Sequence, residues 1–108
     1  MQQPHLDEIL PPEAVARFCK KWKIAELYVF GSAARGEMRD DSDIDLLYVF
    51  DDDAEWGVFD VVDMEIELAA LLGRPVDLVS YKAAERHPNR RGRRMLFQHV
   101  IPIYSHAA

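Results

Sequence analysis

The spacing of apolar positions changes several times along the chain, and each change marks an element. Between 12 and 22, Val15, Phe18, Cys19 and Trp22 recur at i, i+3, i+4 and i+7, one face of an α-helix. Pro11, Pro12 and Glu13 supply its start, and Cys19 reads as a small buried hydrophobe. Ile24–Phe30 is short, rich in aromatic and branched residues and stopped by Gly31, which predicts a strand. Ser32 is expected to cap a short helix through Ala33, Ala34 and Arg35, with a polar loop over 36–41. Ile44–Phe50 is apolar on both faces after Asp45, the pattern of a strand inside a sheet. Asp51, Asp52 and Asp53 end it as a solvated turn.

From 58 to 72 the residues Phe59, Val62, Ile66 and Ala69, flanked by Leu68 and Leu72, make a wide apolar stripe opposite Asp60, Asp63 and Glu67. Gly73 terminates this helix and Pro75 prevents its continuation. Val76–Ser80 is a third strand with Asp77 inside it. Residues 82–99 read as helical around Met95, Leu96 and several arginines, with His87, Pro88 and Asn89 as a break or a late start. Residues 101–104 close the chain as an edge strand, where Pro102 is tolerated. Residues 1–10 read as a loose arm. The order α-β-α-β-α-β-α-β describes a small α/β (α+β) domain.

Composition narrows the class. At 108 residues, 49% hydrophobic and 30% charged, the chain fits one ordinary globular domain spanning 1–108. A net charge of −6 argues against general adhesion to nucleic acid or anionic membrane. A basic window, Arg86, Arg90, Arg91, Arg93 and Arg94, interrupts that balance. It reads as a solvated helix face or as a contact for an acidic partner or phosphate, and Phe97 and Tyr104 join it as candidate interface aromatics. The lone Cys19 excludes an internal disulfide. With no apolar run long enough for a membrane span and no basic, apolar leader, a cytoplasmic protein is expected. His5, His87, His99 and His106 are not spaced as a metal set.

The candidate chemistry lies in GSAARGEMRDDSDIDLLYV, from Gly31 to Val49. Asp43 and Asp45, two apart on an extended segment, project to the same side. Two unneutralised carboxylates in apolar surroundings are costly, and a divalent cation removes that cost. Oxygen ligands of this kind suit Mg²⁺ or Mn²⁺, the ions used in phosphoryl and nucleotidyl transfer. Asp77 on the next strand is a third candidate, as a ligand or as a base on the attacking hydroxyl. Gly31 and Ser32, at a strand end opening a helix, offer backbone N–H groups and a hydroxyl to a phosphate. Arg35, one turn on, and Arg39 in the loop can reach the same phosphates.

Joined at this spacing, Gly31-Ser32, ten residues and Asp43-Ile44-Asp45 resemble the signature of the nucleotidyltransferase superfamily typified by polymerase β, and in particular its minimal nucleotidyltransferases. The resemblance covers nearly the whole chain. It implies a small mixed sheet flanked by helices, Mg²⁺ on Asp43, Asp45 and Asp77, and ATP as nucleotide donor. It also implies a HEPN-domain toxin as partner, with this chain as antitoxin transferring AMP to a tyrosine hydroxyl of that protein.

A chain this short has no residues left for an acceptor-holding second domain, so a partner protein is expected to complete the site. Two other readings stand beside protein adenylylation: a non-catalytic antitoxin that neutralises by binding, and transfer to a small molecule of the aminoglycoside type. Neither a nucleic-acid nor a membrane partner is expected, and homo- or hetero-oligomerisation is left open.

Overall fold

A computed structural model describes residues 6–39, 41–86 and 88–105, with only the backbone of 95 and 96. The elements follow the order α1 (Leu6–Ile9), α2 (Pro12–Lys21), β1 (Ile24–Phe30), α3 (Gly31–Arg35), β2 (Ile44–Phe50), α4 (Val58–Leu72), β3 (Val76–Ser80), α5 (Tyr81–Glu85), α6 (Arg90–Phe97) and β4 (Ile101–Ser105). The strands form one four-stranded sheet in the order β3-β2-β1-β4. β2 is central, antiparallel to β1 and parallel to β3, as its two-sided apolar run implies. β4 is an edge strand against β1, where Pro102 removes no ladder donor from the sheet's middle.

The sheet has two unlike faces. Strand pleating puts Leu27, Val29, Ile44, Leu46 and Leu78 on one side, where they form a single core cluster with Val15, Phe18 and Cys19 of α2 and Met64 and Leu68 of α4. Tyr28, Phe30, Asp45, Leu47 and Asp77 alternate onto the other side. There Tyr81 packs on Tyr28, with ring centroids 5.2 Å apart, and Phe97 packs on Tyr81 at the same separation. α5 and α6 thus roof part of that second face.

Several expectations are corrected. The segment before α2 is not wholly loose: Leu6–Ile9 is a helical turn and Leu10 is only 3% exposed in the core. Residues 1–5 lie outside the described residues. Ser32 does not cap α3 but sits inside its first turn, because the helix already begins at Gly31; Phe30 occupies the cap position without a side-chain bond. After β3 the expected break holds: the stretch is two helices, interrupted between Glu85 and Arg90 around Pro88 and Asn89, and only its start moves, to Tyr81. Of the two candidate interface aromatics, Phe97 is half-buried against Tyr81 and Tyr104 is half-buried against the main core.

The largest correction concerns α4. The face it buries carries Met64 and Leu68, while Val58, Phe59, Val62 and Ile66 point to solvent. Its sequence is apolar nearly all round, so periodicity marks a helix without selecting the inward side. Polar partners select it. Glu65 accepts a hydrogen bond from the Leu78 N–H of edge strand β3 at 2.8 Å, and Glu67 accepts from Lys21 Nζ at 2.6 Å and from Trp22 Nε1 at 3.1 Å. These acids flank the buried face and fix the helix's rotation.

Candidate functional site

The site is assembled at one end of the second face, where β1 ends and β2 and β3 begin. Asp45 stands opposite Phe30 on β1 and opposite Asp77 on β3. Cross-strand partners share a face at a strand spacing of roughly 4.8 Å, so Asp45 and Asp77 are neighbours on one surface. Asp43 precedes β2 by one residue, two positions from Asp45.

Asp45 is half-buried, whereas Asp43 and Asp77 are exposed. Its carboxyl is held above the ordinary aspartate value, chiefly by burial and then by the negative charges of Asp77 and Asp43. The positive charge of Arg35 works in the opposite direction. Asp77, Asp43 and Arg35 therefore all act electrostatically on Asp45.

Gly31 is bound to this geometry in two ways. Its φ is +71°, a conformation that L side chains rarely adopt, and a Cβ at this position would lie 2.3 Å from Asp45 Oδ2. Glycine is required so that the strand-to-helix turn can lie directly against the carboxylate. Ser32, half-buried, follows in the first turn of α3, whose leading N–H groups have no helical acceptor.

Arg35 lies within electrostatic reach of Asp45, but its Nε donates to Glu37 Oε2 at 3.1 Å. A phosphate would compete for it with an exposed ion pair, which is a weak competitor. Arg39 contributes to loop geometry: its N–H donates to Ser42 Oγ at 2.7 Å.

Other contributors were not foreseen. Arg74 Nη1 donates to the Arg39 carbonyl at 2.8 Å and to that of Ser42 at 3.5 Å. It thereby ties the α4–β3 turn to the loop that delivers Asp43. A single arginine between Gly73 and Pro75 carries no local sequence signal for that role. The Tyr28 hydroxyl, on the same face as Asp45, donates to Glu26; that bond and partial burial push its pKa up to about 12. Cys19 is pushed up to about 12 by burial alone and is inert packing, as read from the sequence.

Among the described residues no three Asp, Glu, His or Cys groups close on a single point as a ready metal cage. That arrangement still fits Mg²⁺, which is commonly held by one or two carboxylates, with substrate phosphates and waters completing the shell. Asp43 and Asp45 would hold such an ion, with Asp77 beside them. Among the described residues no helix is long and apolar enough to cross a membrane. Among the arginines of α6, Arg93 Nη1 donates to the Glu85 carbonyl at 3.1 Å.

Known proteins share both the fold and the sequence. A solved structure described as a minimal nucleotidyltransferase superposes with a TM-score of 0.66 at 36% identity, over 94% of this chain and 96% of that one. A chain of a solved complex between tri-AMPylated Shewanella oneidensis HEPN toxin and MNT antitoxin gives a TM-score of 0.61 over 91% of this chain and 72% of that one; at 18% identity this likeness is one of fold. The protein adenylyltransferase MntA of Thermococcus cleftensis is 42% identical over 60 residues, 56% of this chain and 59% of that protein. The chain spans between 59% and 63% of the length of three curated relatives. With the description "Nucleotidyltransferase domain" matching residues 12–100, which take in Gly31, Ser32 and all three acids, the chain belongs to the nucleotidyltransferase domain family.

Proposed function

We propose that the protein is a Mg²⁺-dependent adenylyltransferase that moves AMP from ATP to a tyrosine hydroxyl of a HEPN-domain toxin, and so acts as that toxin's antitoxin. The observation that carries this reading is the meeting of Asp45 with Asp77 and Asp43 on one side and with Gly31 on the other. That arrangement brings an acid cluster against the strand-to-helix turn at Gly31. A relative named as a protein adenylyltransferase and a fold neighbour from a complex with an AMPylated HEPN toxin support a protein of that kind as acceptor.

The roles follow from position. The α3 N-terminus at Gly31 and Ser32, with Arg35 released from Glu37, binds and orients the triphosphate. Asp43 and Asp45 would hold Mg²⁺, which when bound neutralises charge building on the phosphates. Asp77, exposed beside them, takes the proton of the acceptor hydroxyl. That oxygen bonds to the α-phosphorus while the bond to the β-phosphate oxygen breaks, and pyrophosphate leaves. Burial and the nearby charges of Asp77 and Asp43 raise the cost of ionising Asp45, and a bound cation would offset that cost.

Purified protein, α-labelled ATP, Mg²⁺ and the HEPN-domain product of an adjacent gene should together place label on that partner. Asp43→Asn and Asp45→Asn should each reduce the rate by at least about a hundredfold with the fold retained, as judged by circular dichroism. Unlabelled partner, with toxin neutralisation undiminished in both variants, would instead establish a non-catalytic binder.

A further inference from the structure

The outward side of α4 carries Val58, Phe59, Val62 and Ile66, which are 79%, 86%, 44% and 64% exposed. At this spacing they share one flank of the helix and form a ridge roughly 12 Å long. The opposite flank is closed on Met64 and Leu68, 1% and 0% exposed, so the helix is firmly seated and the ridge is not a symptom of loose packing. Contiguous exposed apolar surface on a small domain marks a place where something docks.

Charge selects the occupant. Residues 51–72 contain eight acids and no lysine, arginine or histidine, and exposed Asp63 lies on the ridge side. A second copy pairing ridge to ridge would bring Asp63 toward its own counterpart, with no basic residue of α4 to offset it, which like-charge juxtaposition disfavours. An amphipathic helix with an apolar centre and a lysine- or arginine-bearing rim is complementary in both respects.

Placement supports the same occupant. Met64 and Leu68 share a cluster with Ile44, Leu46 and Leu78, so α4 covers the sheet face opposite Asp45 and Asp77. A partner seated on the ridge leaves the acids uncovered. We infer that the α4 ridge is the docking surface for the protein acceptor, which it holds through a basic-rimmed amphipathic helix while a different part of that protein enters the acid face. The inference rests on the adenylyltransferase reading and adds to it a recognition surface separate from the chemistry.

Isothermal titration of the purified adjacent-gene HEPN-domain protein into this protein tests the ridge. Phe59→Ser combined with Ile66→Ser should weaken Kd by about a hundredfold, with circular dichroism and melting unchanged. Asp63→Lys should weaken it about tenfold and flatten its salt dependence. Asp43→Asn, within the site, should bind as wild type does. An unchanged Kd in the ridge variant overturns the inference, and if label transfer then persists, adenylylation stands without it. A Kd that collapses in the ridge variant although the wild type transfers no label keeps the docking surface and removes the chemistry. Absence of binding by the wild type overturns the ridge as acceptor site. A homodimer in sedimentation velocity that the ridge variant dissociates does so too, by assigning the ridge to a second copy.

Discussion

Adjacent residues of β2 serve opposite ends on the two faces of the sheet. Ile44 and Leu46 are fully buried between α2 and α4, where the free energy comes from apolar surface removed from water. Asp45, between them, turns to the other face and meets Asp77 and the Gly31 turn. The packed face supplies rigidity, and the acid face uses it to hold like charges that would otherwise move apart. The difference teaches that a site of this kind depends on strand phase. A slip of one residue would put carboxylates in the core and leucines at the site.

Three perturbations sharpen that contrast. The largest stability loss should come from the packed face. Leu46→Ala removes a fully buried side chain between two helices and should cost about 2–5 kcal/mol in chemical denaturation, a large share of the stability of a domain this size. A loss below about 1 kcal/mol would mean that the helices reseat and that the face is not the rigid support described.

Gly31→Ala falls between the two faces in effect. The new Cβ would meet both an unfavourable φ and Asp45 Oδ2. About 1–3 kcal/mol of stability should be lost, and nucleotide transfer should fall more steeply than stability because Asp45 must shift. Transfer at the wild-type rate would show that the close approach is incidental.

The smallest effect has the opposite sign. Asp45 has a folded pKa raised above its ordinary 3.8, so ionising it opposes folding. In metal-free buffer stability should be greatest below about pH 3.8 as far as this group is concerned. It should fall as pH rises from there through the folded pKa, and then level off. Asp45→Asn should therefore be more stable than wild type at neutral pH, by no more than about 1 kcal/mol because the carboxylate keeps some solvent. The advantage should vanish in acid. A variant less stable at neutral pH would mean that the acid is satisfied without a cation.

Much of this was legible in the chain. Strands β1, β2 and β3 and helix α4 fall at the residues their apolar runs and terminating glycines predict. Asp45 and Asp77 could be picked out as candidates because each breaks the apolar pattern of its strand, and Gly31 and Ser32 because they stand where a strand ends and a helix begins. Other features left no local trace. Arg74 acts on carbonyls more than thirty residues away, and its partners exist only once β2 and β3 lie side by side. The close contact of Gly31 with Asp45 is likewise a cross-strand fact, although a glycine at a strand end hinted at tight backbone approach.

By itself, the sequence determined the limits of β1, β2, β3 and α4 and which carboxylates share a strand face, because these follow from periods of two and 3.6 along a covalent chain. Tertiary structure decided the rotation of α4, the meeting of Asp45 with Asp77 and Gly31, and which apolar residues of α4 stay exposed. Each of those depends on contacts between residues far apart in the chain, where burial, hydrogen bonds from Glu65 and Glu67 and the repulsion of like charges are weighed together.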